Sequence, residues 1–203
     1  RTEAVPPERA QPVSALGRAL RAPPVAAALW FVTLPGLLFG ALSVLAPLRL
    51  SQLGFGALAI AATWMVSASL EALASPMLGH LSDRIGRRRP LYGSLAGAIV
   101  VLAVIPWPPS AYALAALVVC AGVAFGSFWT PAMALLSDAG EAQGLSHGYS
   151  FALMNLAWAP GQAVGAAVGG GVASATRDAV PYLALAGLCA LTLAALWRSA
   201  SSS

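Results

Sequence analysis

The stretch GHLSDRIGRRRP, residues 79–90, decides how the rest of the chain is read. It is the one dense charge cluster in the sequence. An aspartate and four arginines lie between Asp83 and Arg89, with glycines at 79 and 86 and a proline at 90. Long apolar runs flank it on both sides. Only 9% of the residues are charged and 59% are hydrophobic, with a mean hydropathy of +0.78. A soluble domain carries about 25% charged residues. A surface this apolar is matched to lipid, and the fold class that follows is an all-α integral membrane protein.

A bilayer-crossing helix needs about 20 mostly apolar residues. Six runs qualify: 25–47, 57–78, 91–107, 111–136, 149–173 and 180–197. They are too long for membrane strands and do not alternate. Residues 1–24 therefore read as a polar linker, 25–197 as a six-helix transmembrane domain and 198–203 as a tail. The opening RTEAVPPERAQPVSALGRALRAPP resembles an internal linker more than a natural N-terminus, which points to a piece of a longer protein. With the N-terminus in the cytoplasm, nine arginines fall inside and only Arg49 and Arg177 fall outside. That bias fixes the expected orientation in a plasma (inner) membrane, with both termini and the 79–90 cluster cytoplasmic.

The net charge of +4 does not point to nucleic acid, because the arginines sit in connectors and no lysine occurs. Cys120 and Cys189 lie in apolar runs and read as buried small hydrophobes. His80 and His147 lie outside the spans, so neither a metal site nor a cofactor is expected. An intramembrane protease needs a histidine within a span, and a headgroup phosphotransferase needs several aspartates on one helix face. Neither pattern is present, and the chain is not read as an enzyme.

Glu71 is the only ionisable residue well inside a span. It lies eight residues before Gly79, about 12 Å from that end at 1.5 Å per residue. Charge at mid-membrane is costly, so such a residue is a functional candidate. Ser67 and Ser75 share its face at i−4 and i+4, and Trp64 lies seven residues earlier. The group suits proton coupling or attraction of a cationic substrate. A protonated carboxyl hydrogen-bonded between helices is the structural alternative. Asn155 and Gln162, seven residues apart, are candidates for substrate contact or for interhelical bonding, and Trp64 for stacking or packing. Trp107 and Trp197 read as headgroup anchors. Small residues four apart recur at Gly36/Gly40, Gly93/Gly97, Gly122/Gly126 and Gly161/Gly165/Gly169, which favours close helix packing.

The order Gly79, His80, Leu81, Ser82, Asp83, Arg84, Ile85, Gly86, Arg87, Arg88 resembles the signature of the major facilitator superfamily, and every signature position fits. The resemblance implies a six-helix bundle forming one half of that fold, with a missing other half as partner. The linker and the short tail favour the C-terminal half. On physical grounds the arginines can bridge to Asp138 and Glu141, which fall in the connector SDAGEAQGLSHG. Asp83, Arg84, Arg87 or Arg88, Asp138 and Glu141 then form a cytoplasmic latch. In the family the signature is implicated in stabilising one end of an alternating-access cycle.

A second resemblance lies in NLAWAPGQAVGAAVGG, residues 155–170. It is similar to the antiporter-type motif of the same superfamily. Gly165, Gly169 and Gly170 match its glycines and Gly161 extends the stripe, while Ala166 stands where the motif has proline and Pro160 lies six residues earlier. Together the resemblances imply transport of small molecules, most simply proton-coupled efflux of drug-like or other organic compounds. Uptake of sugars or metabolites, or a truncated half acting as an assembly partner, stays open at this point.

Overall fold

The computed structural model describes residues 17, 19–86 and 88–201. Among the described residues there are helices and no strands. The helices are α1 (Pro23–Gln52), α2 (Ala57–Ile85), α3 (Arg88–Val104), α4 (Ala111–Gly126), α5 (Trp129–Ala142), α6 (His147–Ala175) and α7 (Ala179–Ser201). They make six antiparallel rods, because α4 and α5 are two parts of one. The expected linker at 1–24 falls largely outside the described residues.

The rod ends follow from local chemistry. Pro23 and Pro24 open α1, where a missing N–H costs nothing. Gly54, at φ +96°, reverses the chain after α1. Ser110 caps α4, its hydroxyl accepting from the Ala113 amide at 3.2 Å. The 79–90 stretch is far more helical than its reading as a connector implied. α2 continues to Ile85 and α3 begins at Arg88. Gly86 takes φ +83°, a left-handed conformation that glycine adopts without steric cost. Asp138 and Glu141, expected in a connector, lie instead in the last turns of α5.

The fourth rod, expected as one span, breaks at Ser127–Phe128. Pro131 is the reason: it has no N–H to donate to the Ser127 carbonyl, and its ring crowds that carbonyl. The Ser127 hydroxyl ties the break to α3, lying 2.7 Å from Ser94 Oγ, which itself donates to the Pro90 carbonyl at 3.0 Å.

Four rods are long and apolar enough to cross a bilayer by length and composition: Pro23–Gln52, Ala57–Leu81, Ala111–Ala142 and Ala179–Ser199. α3, at 17 residues, sits at the short limit of the spanning range. α6 has the length, at 29 residues, but its glycines, Asn155 and Gln162 dilute its hydropathy.

α1 occupies the centre. It packs most extensively on α6, while α2 packs on α4 and α3 on α7. α2 is built inside out. Among its described side chains the buried ones are Thr63 and Ser67, whereas Leu58 is 85% exposed and Met65, Leu73 and Met77 also point outward. Water would not tolerate that surface, but a bilayer or another apolar helix does. Trp107 and Trp197 are exposed near opposite ends of the bundle. Cys189 is buried, but Cys120 is exposed, contrary to its reading as a buried hydrophobe, because its side of α4 faces away from the bundle.

Candidate functional site

The polar face of α2 meets a pair of glycines on α4. A methyl placed at Gly122 would overlap the Ser67 hydroxyl, and one at Gly126 would overlap the Glu71 carboxyl. The i, i+4 spacing of Ser67 and Glu71 thus sits in the i, i+4 notch of Gly122 and Gly126. Ser75, one turn further along, donates its hydroxyl to the Glu71 carbonyl at 2.9 Å.

A second glycine seam joins α1 to α6. A methyl on Gly36 would lie 2.8 Å from the Trp158 carbonyl oxygen, and one on Gly161 would lie 2.8 Å from the Thr33 carbonyl oxygen. At Gly40 it would collide with the Gln162 carbonyl, and at Gly165 with the Leu37 carbonyl. A methyl at Gly169 would lie 3.0 Å from Ala41 Cβ. Gly170 is looser, with Val44 Cγ1 at 3.5 Å. At Gly36, Gly40, Gly161 and Gly165 backbone meets backbone, and neither side of the contact can rotate away as a side chain would.

The two seams frame one cleft of 360 Å³, lined by Phe39, Glu71, Trp129, Trp158 and Gln162. Trp129 and Trp158 meet edge to face, with centroids 5.2 Å apart and planes at 87°. Phe39 leans on Trp158 at 5.7 Å and is backed by Phe125 at 5.5 Å, edge to face. Phe125 is fully buried, so this wall is anchored in the core. Phe39 adjoins seam Gly40, and Gln162 adjoins seam Gly161. Three rings, a carboxyl and a primary amide therefore converge on one opening. Two clefts of 440 Å³ exist elsewhere, one including Asp138 and the other Arg89, but their walls are mainly aliphatic.

Glu71 and Gln162, far apart in sequence, thus share one cleft. Trp64 and Asn155 do not line it. Trp64 is partly buried against the core, and Asn155 is exposed, its amide donating to the Phe151 carbonyl at 3.0 Å. Sequence reasoning passed over Phe39, Trp129 and Trp158. Trp158 carried a usable signal, since it lies four residues before Gln162 and shares its helix face.

At the C-terminal end of α2 and the start of α3, Arg84 and Arg89 are exposed, as are Asp138 and Glu141 on α5. Two acids in the last turns of a helix oppose its negative dipole end, a placement that favours cationic neighbours. Arg87 lies outside the described residues, as do the side chains of Asp83 and Arg88. A methyl on Gly79 would meet Thr130 Cγ2 at 3.8 Å, an ordinary contact.

Over 126 residues the chain is 35% identical to the tetracycline resistance protein, class C, of Escherichia coli, a stretch covering 62% of this chain and 31% of that protein. The matched stretch is thus under a third of that relative's length. The sequence profile described as Major Facilitator Superfamily matches residues 1–160 and, in a second match, residues 68–203. Each match takes in well over half of the helical bundle, and the chain belongs to the major facilitator superfamily.

Proposed function

We propose that this chain is one six-helix half of a carrier that moves small molecules across a membrane by alternating access, exporting drug-like organic compounds in exchange for protons. The observation that carries the reading is the placement of Glu71, the one carboxyl deep in a span, in a cleft shared with Gln162 and three aromatic rings. A charged carboxylate at that depth carries a desolvation cost that a bound proton or a cationic partner offsets. Likeness to a tetracycline resistance protein supports the outward direction, since a carrier confers resistance by lowering a compound's concentration inside the cell. The arginine-rich end of α2 is taken as cytoplasmic on the positive-inside bias. Asp83, Arg84, Arg87, Arg88, Asp138 and Glu141 would latch the bundle at that face. The tight notch at Gly126 and the glycine seam through Gly161, Gly165 and Gly169 would hold the cleft while the half rocks against its counterpart.

Inverted membrane vesicles from cells that make this half together with its six-helix counterpart, acidified inside, test this. Accumulation of tetracycline or ethidium should depend on the proton gradient. Glu71→Gln should reduce gradient-driven accumulation at least ten-fold with the protein still present in the membrane. Equal accumulation of both probes in vesicles with and without the protein would remove the carrier reading.

A further inference from the structure

The walls of the Glu71 cleft have one electrostatic character. None of the five lining residues is basic. An aromatic ring presents a negative face through its quadrupole, and tryptophan presents the strongest. Trp129 and Trp158 both line it and stand at 87° to one another, the edge of one ring against the face of the other. Phe39 leans in at 56° to the Trp158 plane. Glu71 contributes a carboxyl to the same space, and Gln162 a primary amide. This combination of perpendicular aromatic walls with one carboxyl is complementary to an organic cation whose charge is spread over an apolar head. A bare metal ion would find too few oxygen ligands here. An anion would meet ring faces and a carboxylate.

The size agrees. A volume of 360 Å³ is at the lower end of small-molecule sites, which run about 300–1,000 Å³. It accepts the head of a ligand rather than a whole drug-sized molecule. The carboxyl also has a packed neighbour. Gly126 leaves no room between α4 and Glu71, so the acid cannot withdraw in that direction. Phe39 is held from behind by the fully buried Phe125. Two of the five lining residues are thus backed by packed neighbours before a ligand enters, which lowers the cost of binding.

We infer that the Phe39, Trp129 and Trp158 cluster with Glu71 is the headgroup subsite for an organic monocation, of the quaternary or tertiary ammonium class. The inference rests on the carrier reading for its biological sense, but it is read out by binding alone. The rings hold the apolar shell of the cation, Glu71 supplies the single counter-charge, and Gln162 orients the ligand through its amide.

The test compares phenyltrimethylammonium with its uncharged carbon analogue, tert-butylbenzene, by calorimetric titration of the chain in lipid nanodiscs. Empty nanodiscs serve as the blank for partitioning into lipid. The cation should bind at least ten-fold more tightly than the analogue. Glu71→Gln should erase that preference while leaving the weaker affinity for tert-butylbenzene in place. Trp158→Leu, which keeps apolar bulk but removes the ring face, should weaken the cation by roughly five- to ten-fold. Near-ultraviolet circular dichroism and size exclusion identify any variant that fails to fold, and Trp129→Leu then serves in place of Trp158→Leu. Equal affinity for the two ligands in the unmodified chain, or no binding of the cation, overturns the assignment whether or not the vesicles transport. Selective cation binding without gradient-driven accumulation upholds the subsite and removes the carrier reading.

Discussion

Gly79 and Gly86 occupy matching places in the signature, yet the backbone treats them differently. Gly86 has φ +83°, where a side chain is strained whatever the surrounding space. Gly79 is helical and has room for a methyl. Gly86→Ala should therefore lower stability by about 1–2 kcal/mol, and Gly79→Ala should leave it within about 0.5 kcal/mol. Unfolding of the detergent-solubilised chain by sodium dodecyl sulfate checks both, and a Gly79→Ala loss as large as that of Gly86→Ala would contradict the geometry. Glu71 was legible in the sequence because a lone carboxyl in an apolar run announces its own cost. Phe39 and Trp129 were not. An aromatic residue inside a greasy run is ordinary, and only tertiary neighbours distinguish a cleft wall from packing.

Between elements, the glycine stripe of α6 is graded rather than uniform. Gly165 meets the Leu37 carbonyl with no freedom to adjust, while Gly170 faces a valine methyl at ordinary distance. Gly165→Ala should destabilise the bundle by about 1–3 kcal/mol, and Gly170→Ala by less than about 0.5 kcal/mol, read from thermal unfolding in nanodiscs. Equal costs would mean that α1 and α6 are not in backbone contact. The i, i+4 spacing made these glycines visible in the sequence as packing residues. Their partner helix was not visible, because spacing within one helix carries no address for another. The break before Pro131 was missed for a related reason. Proline is tolerated within membrane helices when its neighbours satisfy the freed carbonyl, so the residue alone does not say whether a rod bends.

At the scale of the whole molecule, the six rods were legible as runs of apolar residues, and the bundle they form matches the fold class read from composition. The proposed orientation rests on arginine placement alone and has a direct check. With Cys120 and Cys189 replaced by alanine, Ser110→Cys should react with a membrane-impermeant maleimide on intact cells. Gln143→Cys should react only after permeabilisation. The reverse pattern would put the arginine-rich end outside. The packing order could not be read from the sequence, since the central rod, α1, finds its principal partner in the fifth rod. That pairing also has a meaning for biosynthesis. Gly40 and Gly165 are about 125 residues apart. A ribosome adding 5–20 residues per second needs roughly 6–25 s to span that interval. During that time α1 sits in the lipid with its flat glycine groove open, and any neighbouring helix with small side chains is a rival for it until α6 emerges.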